Sequence, residues 1–310
     1  MKSKNLKLIE FEESIQKVNE TDEIKNPDEV KPVHPKNKLN DLNGTEWLPE
    51  TKSFWFQKGL GAKHKHAQIE RLHPAPFSFQ DVMRLIKFFT KSGDLVLDPF
   101  SGIGSTMKAC ALSGRKGVGI ELTEVWNELA KKRLLIEVGD EALDDIKFIN
   151  GDCRTKVNSL EDCSLDFVVT SPPYWSILNK KVDHKTRIRI EEELETSYSE
   201  DPRDLGNIED YNEFLDELKN IFIGVGKKLK NNKYMAIIVS DFRHKAKFYS
   251  FHSDIIRILG DQETNNGKKL TLQGVKVLAQ NHKSLLPYGY PYAYVENMHH
   301  QYIIILRKDK

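Results

Sequence analysis

The sequence predicts an α/β fold built on a mostly parallel sheet. Short apolar runs alternate with helical segments along residues 95–241. This alternation is typical of parallel strands joined by right-handed crossover helices. Two further apolar runs near the carboxyl terminus have no clear helix between them, so we expect one of these strands to be antiparallel. A chain of 310 residues with 39% hydrophobic content can form one large domain of this class.

The elements are expected in the following order. Residues 1–45 are polar and charged, which predicts an extended or partly disordered arm, and the folded domain is expected from residue 46 to residue 310. The predicted strands are LVLD, KGVGIE, IKFIN, LDFVVT, YMAIIVSD, VKVLAQ and QYIIILRK, at residues 95–98, 116–121, 146–150, 165–170, 234–241, 275–280 and 301–308. Helices are predicted within residues 73–94, 104–114, 122–138, 208–230 and 251–259.

Two segments interrupt the alternation of predicted strands and helices. Residues 176–207 are strongly charged and have no clear period, and residues 281–300 are rich in tyrosine, proline and histidine. Both segments begin near predicted strand ends, where open α/β sheets bind their ligands. We therefore expect both to lie beside a functional site.

The composition excludes several classes of protein. The formal net charge is only +1, so any surface that binds nucleic acid must be local. Three scattered cysteines without a CxxC spacing indicate neither a disulfide framework nor a zinc site, and they favour a reducing compartment. The chain has no apolar run of membrane-spanning length and no secretory signal pattern. The expectation is a cytoplasmic protein that binds neither a membrane nor a metal.

The segment DPFSGIGST, residues 98–106, follows a predicted strand and opens a predicted helix. Gly102 and Gly104 would let the backbone turn tightly and let a ligand approach it closely. Such a loop suits a nucleotide-like cofactor beside a helix N-terminus. Because no phosphate-binding lysine follows the glycines, the pattern favours an adenosine ligand without phosphates.

Acidic residues follow three successive predicted strands, at Asp98, Glu121 and Asp152. The carboxyl ends of parallel strands share one edge of the sheet, so these carboxylates should lie near one another. Glu121 could hold both hydroxyls of a ribose. Asp98 could accept a hydrogen bond from a ligand amine, and Asp152 could accept one from an adenine amino group.

The fourth predicted strand ends in VVTSPPYW, residues 168–175. Pro172 and Pro173 fix the backbone, which holds the Ser171 hydroxyl and nearby carbonyls in place as acceptors. Tyr174 offers a flat face on which an aromatic ring can stack. A rigid acceptor beside a stacking ring suits the exocyclic amino group of a nucleobase.

Together, HPAPF at residues 73–77, DPFSGIGST and SPPY resemble the amino-group DNA methyltransferases, which use S-adenosylmethionine. The resemblance covers about residues 47–308 and implies a Rossmann-like class I methyltransferase fold with a seven-stranded sheet. It implies methyl transfer to the amino group of a base flipped out of double-stranded DNA. It assigns catalysis to Ser171, Pro172, Pro173 and Tyr174. It assigns cofactor binding to His73, Pro74, Phe77, Asp98, Pro99, Phe100, Gly102, Gly104, Ser105, Thr106, Glu121, Leu122, Asp152, Cys153 and Ser171.

The target base is less defined. In the family, SPPY leans towards cytosine N4, whereas DPPY or NPPY leans towards adenine N6. Ser171 therefore favours cytosine N4, with adenine N6 as the alternative. A non-catalytic cofactor-binding subunit of a modification complex and an RNA or protein methyltransferase remain open. So does the choice between a restriction–modification role and a housekeeping role.

The sequence has no obvious room for the large target-recognition region of typical family members. The candidates for target recognition are the N-terminal arm, residues 176–207 and residues 281–300, and the alternative is a partner subunit or a homodimer. A solvated charged loop is an equally good reading of the basic run in residues 176–207. The predicted nucleic-acid contacts are Trp175, Lys180, Lys181, Arg187, Arg243, Lys245 and Tyr288.

Overall fold

A computed structural model describes residues 32–57, 69, 78–175 and 201–310. The predictions made for His73, Pro74, Phe77, Lys180, Lys181 and Arg187 lie outside these described residues. The helices are Gly44–Glu50 (α1), Phe79–Phe89 (α2), Ser105–Leu112 (α3), Glu124–Glu137 (α4), Cys153–Lys156 (α5), Tyr211–Lys228 (α6) and Phe251–Leu259 (α7). The strands are Phe54–Phe56 (β1), Leu95–Asp98 (β2), Lys116–Glu121 (β3), Ile146–Asn150 (β4), Leu165–Thr170 (β5), Leu229–Val239 (β6), Phe242–His244 (β7), Lys247–Tyr249 (β8), Gln262–Glu263 (β9), Lys269–Ala279 (β10) and His300–Lys308 (β11).

The main sheet has the strand order β1-β10-β11-β6-β5-β2-β3-β4, and β9 pairs with the outer part of β10. Strands β4, β3, β2, β5 and β6 are parallel, and β11 runs antiparallel between β6 and β10. This arrangement confirms the predicted fold class, including the antiparallel strand near the carboxyl terminus. The sheet has nine strands in the described part of the chain, rather than the predicted seven. The two additional strands are β1 and β9, which are three and two residues long and too short to give a periodic pattern.

Helices cover both faces of this sheet. Successive strand residues point to opposite faces, so the fully buried Val96 and Leu97 belong to different apolar clusters. The cluster containing Leu97 is covered by α6 and α7, and the cluster containing Val96 is covered by α2 and α3. This two-sided burial explains why the central strands are continuous apolar runs without a polar face.

Part of the predicted N-terminal arm is packed against the domain. Asn40 is fully buried, and its Nδ2 donates a 2.6 Å hydrogen bond to the Phe88 carbonyl. Asp41 forms a 3.2 Å ion pair with Arg115, and Asn43 caps α1 with its side chain. These contacts pack residues 40–43 against the domain, and the boundary at residue 46 stays a prediction.

One edge of the sheet gathers the loops that follow β2, β3, β4, β5, β6 and β10. It also holds the start of β11, because His300 pairs with Ala279 at the end of β10. No described helix is long and apolar enough to cross a membrane. In the same described ranges, no group of three or more His, Cys, Asp or Glu side chains is arranged to hold a metal ion.

Candidate active site

A cavity opens at this edge of the sheet, with about 890 Å³ of empty space that is continuous with solvent. Clefts at the carboxyl edge of an α/β sheet are where small organic ligands and cofactors bind. Many of the predicted cofactor and catalytic residues line it, namely Pro99, Phe100, Gly102, Ser105, Glu121, Leu122, Asp152, Cys153, Ser171, Pro172, Pro173 and Tyr174. The structure thus brings the two predicted motifs to one place.

The glycine loop between β2 and α3 is a tight backbone turn. Gly104 has φ of 73° and caps α3, and its N–H donates to the Ser101 carbonyl at 2.9 Å. A Cβ atom on Gly104 would lie 3.0 Å from the Ala130 Cβ. Both the left-handed backbone and the close approach of α4 therefore require glycine here.

Glu121 lies on the cavity wall at the end of β3. One carboxylate oxygen accepts from the Gly102 N–H at 2.8 Å, and the other accepts from the Thr123 N–H at 2.9 Å. Burial raises the pKa of Glu121 to about 7. Each oxygen retains a further lone pair. The side chain is therefore a fixed acceptor that could hold a pair of ligand hydroxyls.

Asp98 lies beneath the cavity and is fully buried. It accepts hydrogen bonds from the Thr106 hydroxyl at 2.5 Å, the Thr170 hydroxyl at 2.6 Å and the Phe100 N–H at 3.1 Å. Burial raises its pKa to about 6. These contacts tie the end of β2 to the end of β5 and to α3. Asp98 thus positions the site, and its predicted contact with a ligand amine remains a prediction.

Asp152 lines the cavity but is already ion-paired. The Arg154 guanidinium donates to Oδ1 at 3.0 Å and to Oδ2 at 2.9 and 2.7 Å. The same guanidinium also reaches Glu217 at 3.1 Å and the Arg203 carbonyl at 2.8 Å. Sequence reasoning did not identify Arg154, although a basic residue two positions after an acid is a simple signal. Asp152 can accept from a ligand only through its remaining lone pairs.

The SPPY turn holds its tyrosine rigidly. The Tyr174 oxygen accepts from the Ser240 N–H at 3.1 Å and from Gln301 Nε2 at 3.3 Å. Burial raises the pKa of the phenol, so it stays protonated at neutral pH. The ring contacts Phe251, with centroids 5.9 Å apart. The turn therefore presents a fixed hydroxyl and a fixed ring to the cavity.

Trp175, a predicted nucleic-acid contact, is largely buried in the structure. Its side chain is 7% exposed, and its indole N–H donates to the Ile208 carbonyl at 2.9 Å. The ring packs among Tyr211, Phe242 and Tyr249. The predicted contact of Trp175 with nucleic acid stays a prediction, and in this structure the ring is packed into the core instead of facing solvent.

Cys153 forms part of the cavity wall. The side chain is buried, and burial raises its pKa to about 12. A thiol with so high a pKa is a poor nucleophile at neutral pH. This supports the interpretation of Cys153 as a wall residue and a mechanism without a covalent cysteine intermediate.

Three predicted nucleic-acid residues lie in loops at this edge. Arg243 and Lys245 belong to the hairpin of β7 and β8, where Lys245 is exposed at the turn with φ of 53°. Tyr288 is 48% exposed, and the nearby Tyr292 is 94% exposed. The positions are compatible with contact to a large ligand, and the contacts themselves remain predictions.

The structure adds wall residues that the sequence did not reveal. Arg203, Asp204 and Leu205 close one side of the cavity, and Trp126 of α4 contributes to it as well. The first three belong to the segment predicted to recognise a target. The sequence around these three residues is charged and has no hydrophobic periodicity, so a turn packed on the cavity could not be recognised there. Trp126 could not be distinguished from any other apolar residue on the buried face of a helix.

Comparisons with known proteins agree with these features. Residues 2–132 match a family model described as DNA methylase. The chain is 34% identical to the type II methyltransferase M.MthZI of Methanothermobacter thermautotrophicus over 27% of this chain and 25% of that protein. It is 32% identical to M.MjaI of Methanocaldococcus jannaschii over 34% of this chain and 35% of that protein. It is also 32% identical to M.ScaI of Streptomyces caespitosus, over 37% and 38% of the two chains.

Among solved structures, TrmN from Thermus thermophilus aligns with a TM-score of 0.42 and 16% identity over 74% of this chain and 48% of that chain. The fold assignment rests on the strand order described above. The matches in sequence support an amino-methyltransferase family, which confirms the resemblance predicted from the motifs. The aligned regions span 25%, 35% and 38% of these three curated relatives.

Proposed function

We propose that this chain transfers a methyl group from S-adenosylmethionine to the exocyclic amino group of a flipped base in double-stranded DNA. Cytosine N4 is the favoured acceptor, because the catalytic tetrapeptide is Ser-Pro-Pro-Tyr, and adenine N6 is the alternative. The observation that carries the proposal is the common cavity. Ser171 and Tyr174 line it together with Glu121 and the glycine loop.

The residues of the cavity fit an adenosine cofactor with a methionine tail. Glu121 has free lone pairs for the ribose hydroxyls, and Asp152 lies next along the edge. Phe100 and the backbone of the glycine loop would contact the methionine part. S-adenosylmethionine, when bound, supplies an electrophilic methyl group on a sulfonium. Because Glu121 is buried, where the local dielectric constant is low, each hydrogen bond that it makes to the ligand would be stronger than in water.

The acceptor amine would be held by the SPPY turn. The Ser171 hydroxyl and the Pro172 carbonyl can accept its two N–H bonds, which directs the nitrogen lone pair towards the methyl group. The Tyr174 ring provides a surface for the flipped base. Positioning and electrostatics would supply the rate enhancement, because the displacement needs no covalent intermediate.

The DNA would contact the loops around the cavity. Lys245 and Arg243 could reach phosphates, and Tyr288 could stack on a base. The loops that follow β5 and β10 would then provide target recognition. A partner subunit or a homodimer is the alternative source of specificity.

The direct test is methyl transfer with labelled S-adenosylmethionine. Purified protein is incubated separately with double-stranded DNA, single-stranded DNA and RNA, and each product is digested to nucleosides and identified by mass. We expect labelled N4-methylcytosine from double-stranded DNA. N6-methyladenine would retain the mechanism and change the base. Cofactor binding without transfer to any substrate would favour the cofactor-binding subunit, and label only in RNA would overturn the DNA assignment.

Cofactor affinity should depend on pH through Glu121. Its pKa is about 7 in the free protein, because burial disfavours the charged carboxylate. Ribose hydroxyls donate more strongly to the ionised form, so binding should lower this pKa and release a proton. Below pH of about 7 the dissociation constant should therefore rise roughly tenfold per pH unit, and above it the constant should level off. Calorimetry between pH 5.5 and 8 in buffers of different ionisation enthalpy (conditions chosen around that pKa) measures both effects.

The matched variants are Glu121→Gln and Glu124→Gln. The first should bind weakly with little pH dependence, since the amide does not titrate. The second alters the next glutamate along the chain, which does not line the cavity, and should retain the parent profile. An unchanged profile in Glu121→Gln would show that another group governs cofactor binding.

A further inference from the structure

Three glutamines link a buried aspartate to Tyr174 across the edge of the sheet. Gln57 Nε2 donates to Asp81 at 3.0 Å. Gln280 Nε2 donates to Gln57 Oε1 at 2.9 Å and to Gln301 Oε1 at 3.2 Å. Gln301 Nε2 then donates to the Tyr174 oxygen at 3.3 Å. We call these four hydrogen bonds the glutamine chain.

The glutamine chain joins elements that are distant in sequence. Asp81 lies in the first turn of α2, Gln57 follows β1, Gln280 follows β10 and Gln301 lies in β11. Asp81 and Gln280 are 4% and 6% exposed. Buried polar groups are usually hydrogen-bonded, so neighbours constrain each orientation here, although Gln280 Oε1 accepts no hydrogen bond in the described part of the structure.

Asp81 fixes the direction of the whole glutamine chain. A carboxylate accepts only, so Gln57 must point its nitrogen towards Asp81 and its oxygen towards Gln280. Gln280 must then point its nitrogen towards the Gln57 oxygen, because two oxygens cannot hydrogen-bond to each other. The same nitrogen reaches Gln301, which must therefore offer its oxygen to Gln280. The nitrogen of Gln301 is then the donor to Tyr174.

This direction has a consequence for the phenol proton. The Tyr174 oxygen has two lone pairs, and both accept hydrogen bonds, from the Ser240 N–H and from Gln301. The O–H of Tyr174 must therefore be directed away from both of these donors. The glutamine chain thus fixes the phenol oxygen as an acceptor and sets the orientation of its hydroxyl.

We propose that the glutamine chain positions Tyr174, and that Asp81, Gln57, Gln280 and Gln301 are positioning residues for the base that would stack on its ring. The chain holds the phenol oxygen as an acceptor between Ser240 and Gln301, which fixes the ring at the cavity. This inference rests on the proposed function where it concerns catalysis. The hydrogen-bond direction itself can be measured without any methyl transfer.

The first test is NMR of protein with 15N-labelled glutamine side chains. The Nε2 resonances of Gln280 and Gln301 should exchange slowly with solvent. Tyr174→Phe removes only a hydroxyl and should shift the Gln301 resonance. Asp81→Asn should also shift it, although Asp81 is separated from Gln301 by two other glutamines. If the chemical shift of Gln301 Nε2 is the same in the parent and in both variants, the proposal is overturned, whether or not the protein methylates DNA.

The second test uses Gln301→Glu in the methylation assay. A carboxylate cannot donate to Tyr174 and would instead accept the phenol proton, which turns the hydroxyl and disturbs the position of the ring. We expect kcat to fall about 10–100-fold at pH 8, with cofactor Kd and DNA KM within about twofold of the parent. At lower pH the introduced carboxyl becomes protonated and can donate again, so the ratio of variant to parent kcat should rise.

The control is Gln273→Glu, since Gln273 lies on the exposed part of β10 and hydrogen-bonds only nearby backbone carbonyls in the described structure. It should retain parental kcat at every pH. A pH-independent loss in Gln301→Glu, or a loss confined to KM, would contradict the proposed donor role. If the parent itself transfers no methyl group, the proposed function fails, and the NMR experiment still decides whether the glutamine chain orients Tyr174.

Discussion

Ser171→Ala is expected to lower the methyl-transfer kcat by about 10²–10³-fold, the loss typical of removing one group that holds a reacting centre in a preorganised site. The alanine removes a hydrogen-bond acceptor while leaving the two prolines and the fold in place. Cofactor affinity should change little, because the contacts of Glu121 and the glycine loop are unaffected. Single-turnover kinetics on double-stranded DNA, together with calorimetric cofactor binding, measure the two effects separately.

Ser164→Ala is the matched control for this substitution. Ser164 precedes β5, whereas Ser171 follows it, and the Ser164 hydroxyl donates to the Glu161 carbonyl at the opposite edge of the sheet. The control should retain parental kcat. If Ser171→Ala also retains it, the amine is held by other groups, with the Pro172 carbonyl as the first candidate.

The strands that lead into the site are the part of the fold that sequence predicts well. The observed bounds of β2, β3, β4 and β5 match the predicted ones, because each is an apolar run closed by a turn or an acid. Burial on both faces makes such runs continuous and easy to recognise. The functional motifs follow these same strand ends, so their meeting at one edge could also be predicted.

Elements that depend on distant partners could not be predicted in this way. β6 begins at Leu229 rather than at Tyr234, and its polar start is held by Lys230, which is paired with Asp166 at 2.8 Å. β1 is defined only by its pairing with Val277–Ala279. In both cases tertiary contacts decide the conformation, against weak local preference.

The same limit applies to the candidate site. The acids after β2, β3 and β4 were predicted together, but their partners were not. Asp98 is enclosed by two threonine hydroxyls, and Asp152 is paired with Arg154. A sequence shows which residue ends a strand. It does not show whether neighbouring side chains have already taken the lone pairs of that residue.

Behind the glycine loop, one carboxylate holds two buried cations. Glu137 lies 2.5 Å from Lys108 Nζ and 3.0 Å from Arg133 Nε, and both cations are fully buried. Arg133 also donates to the Ile103 carbonyl at 3.3 Å and to the Ser105 hydroxyl at 3.0 Å. Glu137 therefore offsets part of the positive charge of two side chains, one of which, Arg133, holds the glycine loop through Ile103 and Ser105.

Glu137→Gln is expected to lower the free energy of unfolding by about 3–5 kcal/mol, because it removes the carboxylate that two buried cations share. Urea denaturation measures this loss. The matched control is Glu128→Gln on the same helix, since Glu128 pairs with Lys131 at 2.7 Å on the surface. That control should cost less than about 1 kcal/mol, because exposed ion pairs contribute little. Equal losses in the two variants would show that the buried cations are solvated or paired by other groups. A larger loss in Glu137→Gln, accompanied by weaker cofactor binding, would show that this carboxylate supports the cofactor loop through Arg133.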